Sequence, residues 1–165
     1  MIEYYKKGSL VMKTKNTLLV VKDIDASKKF YHQILGLHTL FEHSGRVILS
    51  GHITLQSLET WKDMIGENQV IFQNCSTELC FETDDIDAFC ILLDQHHVPL
   101  VHSLKEQAYG QRVIRFYDLD GHIIEVSESL RKIIKRFLNL GLSQEEVSRR
   151  LNLPIDYIQK INRTG

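Results

Sequence analysis

The chain of 165 residues has no long apolar run: stretches such as residues 18–21 fall far short of the ~20 residues a spanning helix needs. No membrane association is therefore expected. The N-terminus shows no basic, then apolar, then small-residue layout of a secretory signal, so a cytoplasmic protein is the expectation. Cysteine is also scarce. The three present, Cys75, Cys80 and Cys90, form no C-x-x-C pair, and an odd count in such a chain argues for free thiols. Cys80 and Cys90 fall inside apolar patterns and read as small core hydrophobes. Net charge is nearly absent too, at −1. That balance hides an asymmetry, because residues 128–165 carry eight Lys/Arg against four Asp/Glu, which is +4, leaving twelve against seventeen, or −5, for residues 1–127. A basic tail on an acidic body fits a polyanion surface or plain solvated helix faces, and the second reading is preferred.

With 43% apolar and 25% charged residues, the chain has the composition of an ordinary globular protein with one well-buried core and a small appendage. Its organising feature is a repeat. Residues 23–26 read Asp-Ile-Asp-Ala and so do residues 85–88, an offset of 85−23 = 62. A chain that repeats itself in this way contains two copies of one supersecondary unit. In the first copy, residues 16–21 form an apolar, β-branched strand. A helix then opens at Asp23 and ends at Gly36, with Ala26, Phe30, Tyr31, Ile34 and Leu35 on its buried side. Strands follow over residues 39–42, 46–49 and 52–58, and residues 59–75 read as a linking loop. The second copy places a strand over 78–83, a helix over 85–97 with Ala88, Phe89, Leu92 and Leu93 inward, and strands over 98–101, 111–117 and 122–127. The Asp118-Leu-Asp-Gly121 turn separates the last two.

The flanks differ from this body. Residues 1–11 lack periodicity and read as a frayed terminus, or as sequence upstream of a natural start at Met12. From Leu130 onward the period is helical: one stripe through Ile133, Ile134, Phe137 and Leu138, then a capping box Ser143-Gln-Glu-Glu146, then a last helix from Ile155. The expected division is an extension at 1–13, a domain at 14–127 built of modules 14–58 and 76–127, and a helical tail at 128–165. The tail is similar to a helix-turn-helix, with Ser148 and Asn152 at the turn positions. Its last helix offers only Gln159, Lys160, Asn162 and Arg163 for base contacts, so nucleic acid binding is the weaker expectation and packing or dimer formation the stronger.

The first copy runs Asp23-Ile-Asp-Ala-Ser27 into Phe30-Tyr31 and Leu35-Gly36, and the second ends in Tyr117-Asp-Leu-Asp-Gly-His-Ile-Ile-Glu125. These motifs, covering about residues 16–127, resemble the vicinal oxygen chelate superfamily, which includes glyoxalase I, extradiol dioxygenases and bleomycin-binding proteins. The resemblance implies an α+β fold of paired βαβββ modules forming a cupped mixed sheet, with the helical extension appended. It also implies four candidate metal-ligand positions on the inner strands, here Asn16, Gln56, Glu78 and Glu125. Gln56 is preferred to Leu55 because an inward Gln56 turns Ile53 and Leu55 toward the helix.

The metal-bearing members place histidine at one or both first-strand positions, where this chain has Asn16 and Glu78. Two carboxylates and two amides form a hard oxygen set, suited to a weakly held Mg or Mn more than to Zn, Ni or Fe. Three readings of Glu78 and Glu125 stay open. They form a weak metal site with Glu78 and Glu125 as catalytic ligand and base, or they line a polar ligand cup without metal, or they are ion-paired by Arg115 or Arg112. Tyr109, Arg115 and Tyr117 are the candidates for holding a small-molecule ligand. His43 and His52 flank a hairpin but lack a third ligand. The implied functions are a glyoxalase-like lyase or isomerase acting on a small oxygenated substrate, a non-catalytic binding or sequestration protein of bleomycin-resistance type, or a ligand-sensing regulator. A homodimer is expected.

Overall fold

Asp23 and Asp85 do the same work in the two copies: each side chain accepts a hydrogen bond from the backbone three residues on, at 2.9 Å from Ala26 N and 3.0 Å from Ala88 N. An N-cap aspartate satisfies one of the free amides of a helix's first turn, and its charge suits the positive end of the helix dipole. The repeated tetrapeptide is thus a repeated helix start.

The computed structural model describes residues 12–163. The reading of residues 1–11 as a frayed terminus lies outside them. The chain divides after Asn68 into two compact units, each of them a β-α-β-β-β module. The first contains β1 (Thr17–Val21), α1 (Ile24–Leu35), β2 (Thr39–His43), β3 (Arg46–Leu49), β4 (Ile53–Ser57) and α2 (Leu58–Ile65). Its four strands lie in the order β1-β4-β3-β2, with β1 parallel to β4 and the other pairs antiparallel. Ile53 and Leu55 are buried among the core residues, as are Phe30, Tyr31 and Ile34 of α1. The helix ends at Gly36, whose φ of 67° is the left-handed cap conformation that glycine adopts without strain.

The second unit contains β5 (Glu78–Thr83), α3 (Ile86–Gln95), β6 (Leu100–Glu106), β7 (Arg112–Tyr117) and β8 (Ile123–Glu128), then α4 (Leu130–Asn139), α5 (Gln144–Leu151) and α6 (Ile155–Arg163). Its sheet repeats the plan in the order β5-β8-β7-β6, with β5 parallel to β8. Ile114, Phe116, Ile124 and Val126 form the buried side. The rings of Phe89 on α3 and Phe116 meet there at 5.8 Å between centroids. The fold is therefore α+β, with two βαβββ modules and a helical extension.

The three C-terminal helices have a core of their own, made by Ile133, Ile134, Phe137, Val147 and Ile158. The capping box at Ser143 and Glu146 is present. Asn152 turns α5 into α6 in a left-handed conformation, φ 53°, while Ser148 Oγ donates to Leu153 O at 2.6 Å. The extension is tied to the sheet by Glu128, which is 3% exposed and accepts from Arg112 Nη2 at 3.2 Å and Arg136 Nη2 at 2.9 Å. Burial favours the neutral acid, but the hydrogen bonds from Arg136 and Arg112 outweigh it and hold the Glu128 carboxyl below the usual range. No helix among the described residues is long and apolar enough to cross a membrane.

Three sequence expectations need correction. Residues 59–75 are not all loop, because α2 starts there on the Ser57 cap and stops at Gly66, φ 67°. This two-turn helix carries apolar residues at helical spacing, Leu58, Trp61 and Ile65, but is too short for its period to stand out, and it buries none of them fully. The short strand expected over 98–101 is instead β6, running to Glu106. As an edge strand that twice shifts register against β7, it shows no regular alternation. Cys80, read as a core residue, is exposed, and Cys90 is only half-buried.

Candidate functional site

Alternation along β5 sends Glu78, Cys80 and Glu82 to the open side of the second sheet, opposite the side packed on α3. The register then builds one row across all four strands. Cys80 lies beside Glu125, Glu125 beside Arg115, and Arg115 beside His102. Side chains at paired positions share a face, so this row and Glu78 form one polar cluster.

Arg115 is its centre. Its Nε donates to Glu78 Oε2 at 2.8 Å, and its Nη2 donates to Glu78 Oε1 at 3.5 Å and to Glu125 Oε2. Its Nη1 lies 3.3 Å from His102 Nε2, while His102 Nδ1 is 2.7 Å from Ser103 O. A carbonyl oxygen only accepts, so the bonding assigns the proton to Nδ1 and leaves Nε2 to accept from the guanidinium. The arginine bond holds the Glu78 carboxyl below its ordinary range against an opposing effect of burial, and the same bond pushes the Arg115 guanidinium up. Desolvation, then the Glu78 and Glu125 charges, push the Cys80 thiol up, so it stays protonated near neutrality.

Side-chain exposures of 34% for Glu78, 15% for Glu125 and 26% for Arg115 keep the cluster within reach of solvent. Two carboxylates and one guanidinium sum to a formal charge of −1, which leaves a surplus of acceptor oxygens. Exposed Glu82 extends the acidic face. Among the described residues, Glu78, Cys80 and Glu125 are the one group whose ligand atoms, within 4.8 Å of one another, could hold a metal ion. The guanidinium of Arg115 already engages both carboxylates, so a metal ion at that point would have to displace a fixed cation. As placed, these residues fit an arginine better than a divalent ion.

The other candidates are distributed as follows. Asn16 and Gln56 belong to the first unit, and each is bonded within it. Asn16 Nδ2 donates to Thr54 Oγ1 at 2.9 Å. Gln56, 1% exposed, accepts from Arg46 Nε at 2.7 Å and donates to Gly45 O at 3.0 Å and to Thr60 Oγ1 on α2. Tyr117 follows Arg115 by two residues on the same side of β7, and desolvation and neighbouring Cys75 push its phenol up. Tyr109 is set apart on the β6–β7 turn, where its hydroxyl donates to Gln111 Oε1 at 2.6 Å. Cys80 and His102 were not among the sequence candidates. Period-two spacing from Glu78 marks Cys80, whereas His102 lay beyond the strand the sequence suggested.

The two modules also repeat at this level. Arg46 pairs with Gln56 and Arg115 with Glu125, and both members are offset by 69, as 115−46 and 125−56. The charged form of the pair occurs only in the second module.

Comparison with known proteins agrees with the architecture. Residues 14–131 match the glyoxalase-like domain family. The chain is similar to a structure of a protein of unknown function from Agrobacterium tumefaciens, at 36% identity over 74% of this chain and 98% of that one, TM-score 0.66. It is similar to a protein from the mobile metagenome of V. Pseudocholerae, at 30% identity over 72% of this chain and 98% of that one, TM-score 0.52. It shares its fold with a glyoxalase/bleomycin resistance protein/dioxygenase from Nocardioides, at 18% identity over 74% of this chain and 87% of that one, TM-score 0.61. No curated protein matches it significantly.

Proposed function

Since the chain belongs to the glyoxalase-like domain family, whose fold accommodates both catalysis and plain binding, we propose that it is a binding protein for a small cationic or hydroxyl-rich molecule, taken up without a metal. The observation that carries this reading is the Arg115 bridge between Glu78 and Glu125. It neutralises one of two carboxylates, fixes both in place, and leaves acceptor oxygens on an exposed acidic face. Charged acceptors of this kind bond amines and hydroxyls more strongly than neutral groups do. The ligand role expected of Arg115 becomes an indirect one, since the guanidinium orients the carboxylates that meet the ligand.

A second reading keeps the lyase or isomerase with a weakly held Mg or Mn. It is favoured by the closeness of Glu78, Cys80 and Glu125, and it requires Arg115 to move. Thermal-shift titrations with spermidine, glucosamine and metal-free bleomycin, run with and without a chelator, separate the two. Stabilisation that persists in chelator and weakens in Glu125→Gln supports metal-free binding. Stabilisation that appears only with added Mn overturns it.

A further inference from the structure

On the other side of the same sheet, between α3 and the edge strand β6, lies a cavity of about 330 Å³. Its origin is local. Pro99 follows the helix without a backbone donor, and β6 then shifts register against β7 between Leu100 and His102 and again between His102 and Lys105. The strand thus leaves the regular ladder where α3 would otherwise be covered. Leu93, Val98, Leu104 and Ile114 supply apolar walls, while Asp94, His97 and Ser103 supply polar groups. Half-buried Cys90 also lines the space, and burial first, then the Asp87 charge, push its thiol up.

A half-open volume near 300 Å³ with apolar walls and a few polar groups has the make-up of a small-molecule site. An apolar cavity of about 150 Å³ admits benzene, so this one has room for two fused rings. We propose that the cavity is a second ligand site, independent of the Glu78 face, for a neutral one- or two-ring molecule with a single hydrogen-bond donor. The rings lie against the leucine, valine and isoleucine walls, and the donor meets the Asp94 carboxylate. A neutral ring body matches the aliphatic walls, whose apolar area it covers. One donor suffices because the lining has one carboxylate.

Indole, two fused rings with one N–H, is the probe, and 1-methylindole is its donor-free control. Alkylation of Cys90 by N-ethylmaleimide, followed by peptide mapping, reports occupancy, with exposed Cys75 as the internal reference. Indole is expected to slow Cys90 alkylation saturably and leave Cys75 unchanged. The methylated probe is expected to bind about fivefold more weakly, the effect of losing one net hydrogen bond. Ser103→Trp places a large ring at an exposed position of the lining and is expected to abolish the protection while the far-UV spectrum stays native. Absent or non-saturable protection of Cys90, equal protection of Cys75, or full protection in Ser103→Trp would overturn the proposal.

Discussion

Arg115 and Glu125 face each other across the antiparallel β7–β8 pair and are joined by an ion pair. The carboxylate that family resemblance marks as a metal ligand is thus already holding a cation of the protein's own. The pair is intramodular and set by register, so any slip of one residue would separate the two groups onto opposite faces.

The Glu78–Arg115 bond makes a pH-dependent contribution to stability. The Glu78 carboxyl is held below its ordinary 4.5 by Arg115, so the contribution is fully present above 4.5 and is lost as pH falls through the lowered folded value. Because the pair is about one-third exposed, solvent screening limits it to about 1 kcal/mol. Denaturant titrations of wild type and Glu78→Gln should differ by that amount at neutral pH and converge in acid. A gap that widens as pH falls would contradict the assignment.

Glu128 offers a stronger version of the same linkage. Removing its charge by Glu128→Gln leaves Arg112 with Asp87 and Arg136 with Glu106 as their remaining carboxylate partners, at a cost of about 2 kcal/mol for the charge-assisted bonds lost. The helical extension should loosen first, and limited proteolysis near Gly141 should speed up before the sheet unfolds. Its lowered carboxyl acts with the same sign, losing its contribution below 4.5.

Gly110 lies against Phe137. A Cβ there would sit 2.1 Å from the ring's Cζ, and φ is +103°. Gly110→Ala is expected to cost about 3 kcal/mol, combining overpacking with backbone strain. Gly141 provides the control, since φ is +90° but nothing lies within 4 Å of an added Cβ. Gly141→Ala should cost only the strain of about 1–2 kcal/mol. Equal losses for the two variants would remove the ring contact from the account.

Much of this was legible in the chain itself. The Asp-Ile-Asp-Ala repeat, Gly36 and the Ser143–Glu146 box marked helix ends because each uses local backbone chemistry, and the family resemblance singled out Glu78 and Glu125 as positions on the inner strands. The sequence also raised Arg115 as a partner of one glutamate. Its engagement of both, and of His102, depends on strand register across 37 and 13 positions, which no local pattern encodes. Helix α2 and the length of β6 escaped for other reasons: α2 is only two turns long, and β6 is an edge strand with two register shifts and no regular alternation.

The most direct measurement is a manganese titration of wild type and Arg115→Ala, followed by paramagnetic broadening of signals from Glu78, Cys80 and Glu125. With the guanidinium in place, the wild type should show no localised broadening at millimolar Mn, and the variant, its carboxylates released, should show it. Localised broadening in the wild type with Arg115 still bonded to both glutamates would contradict the account.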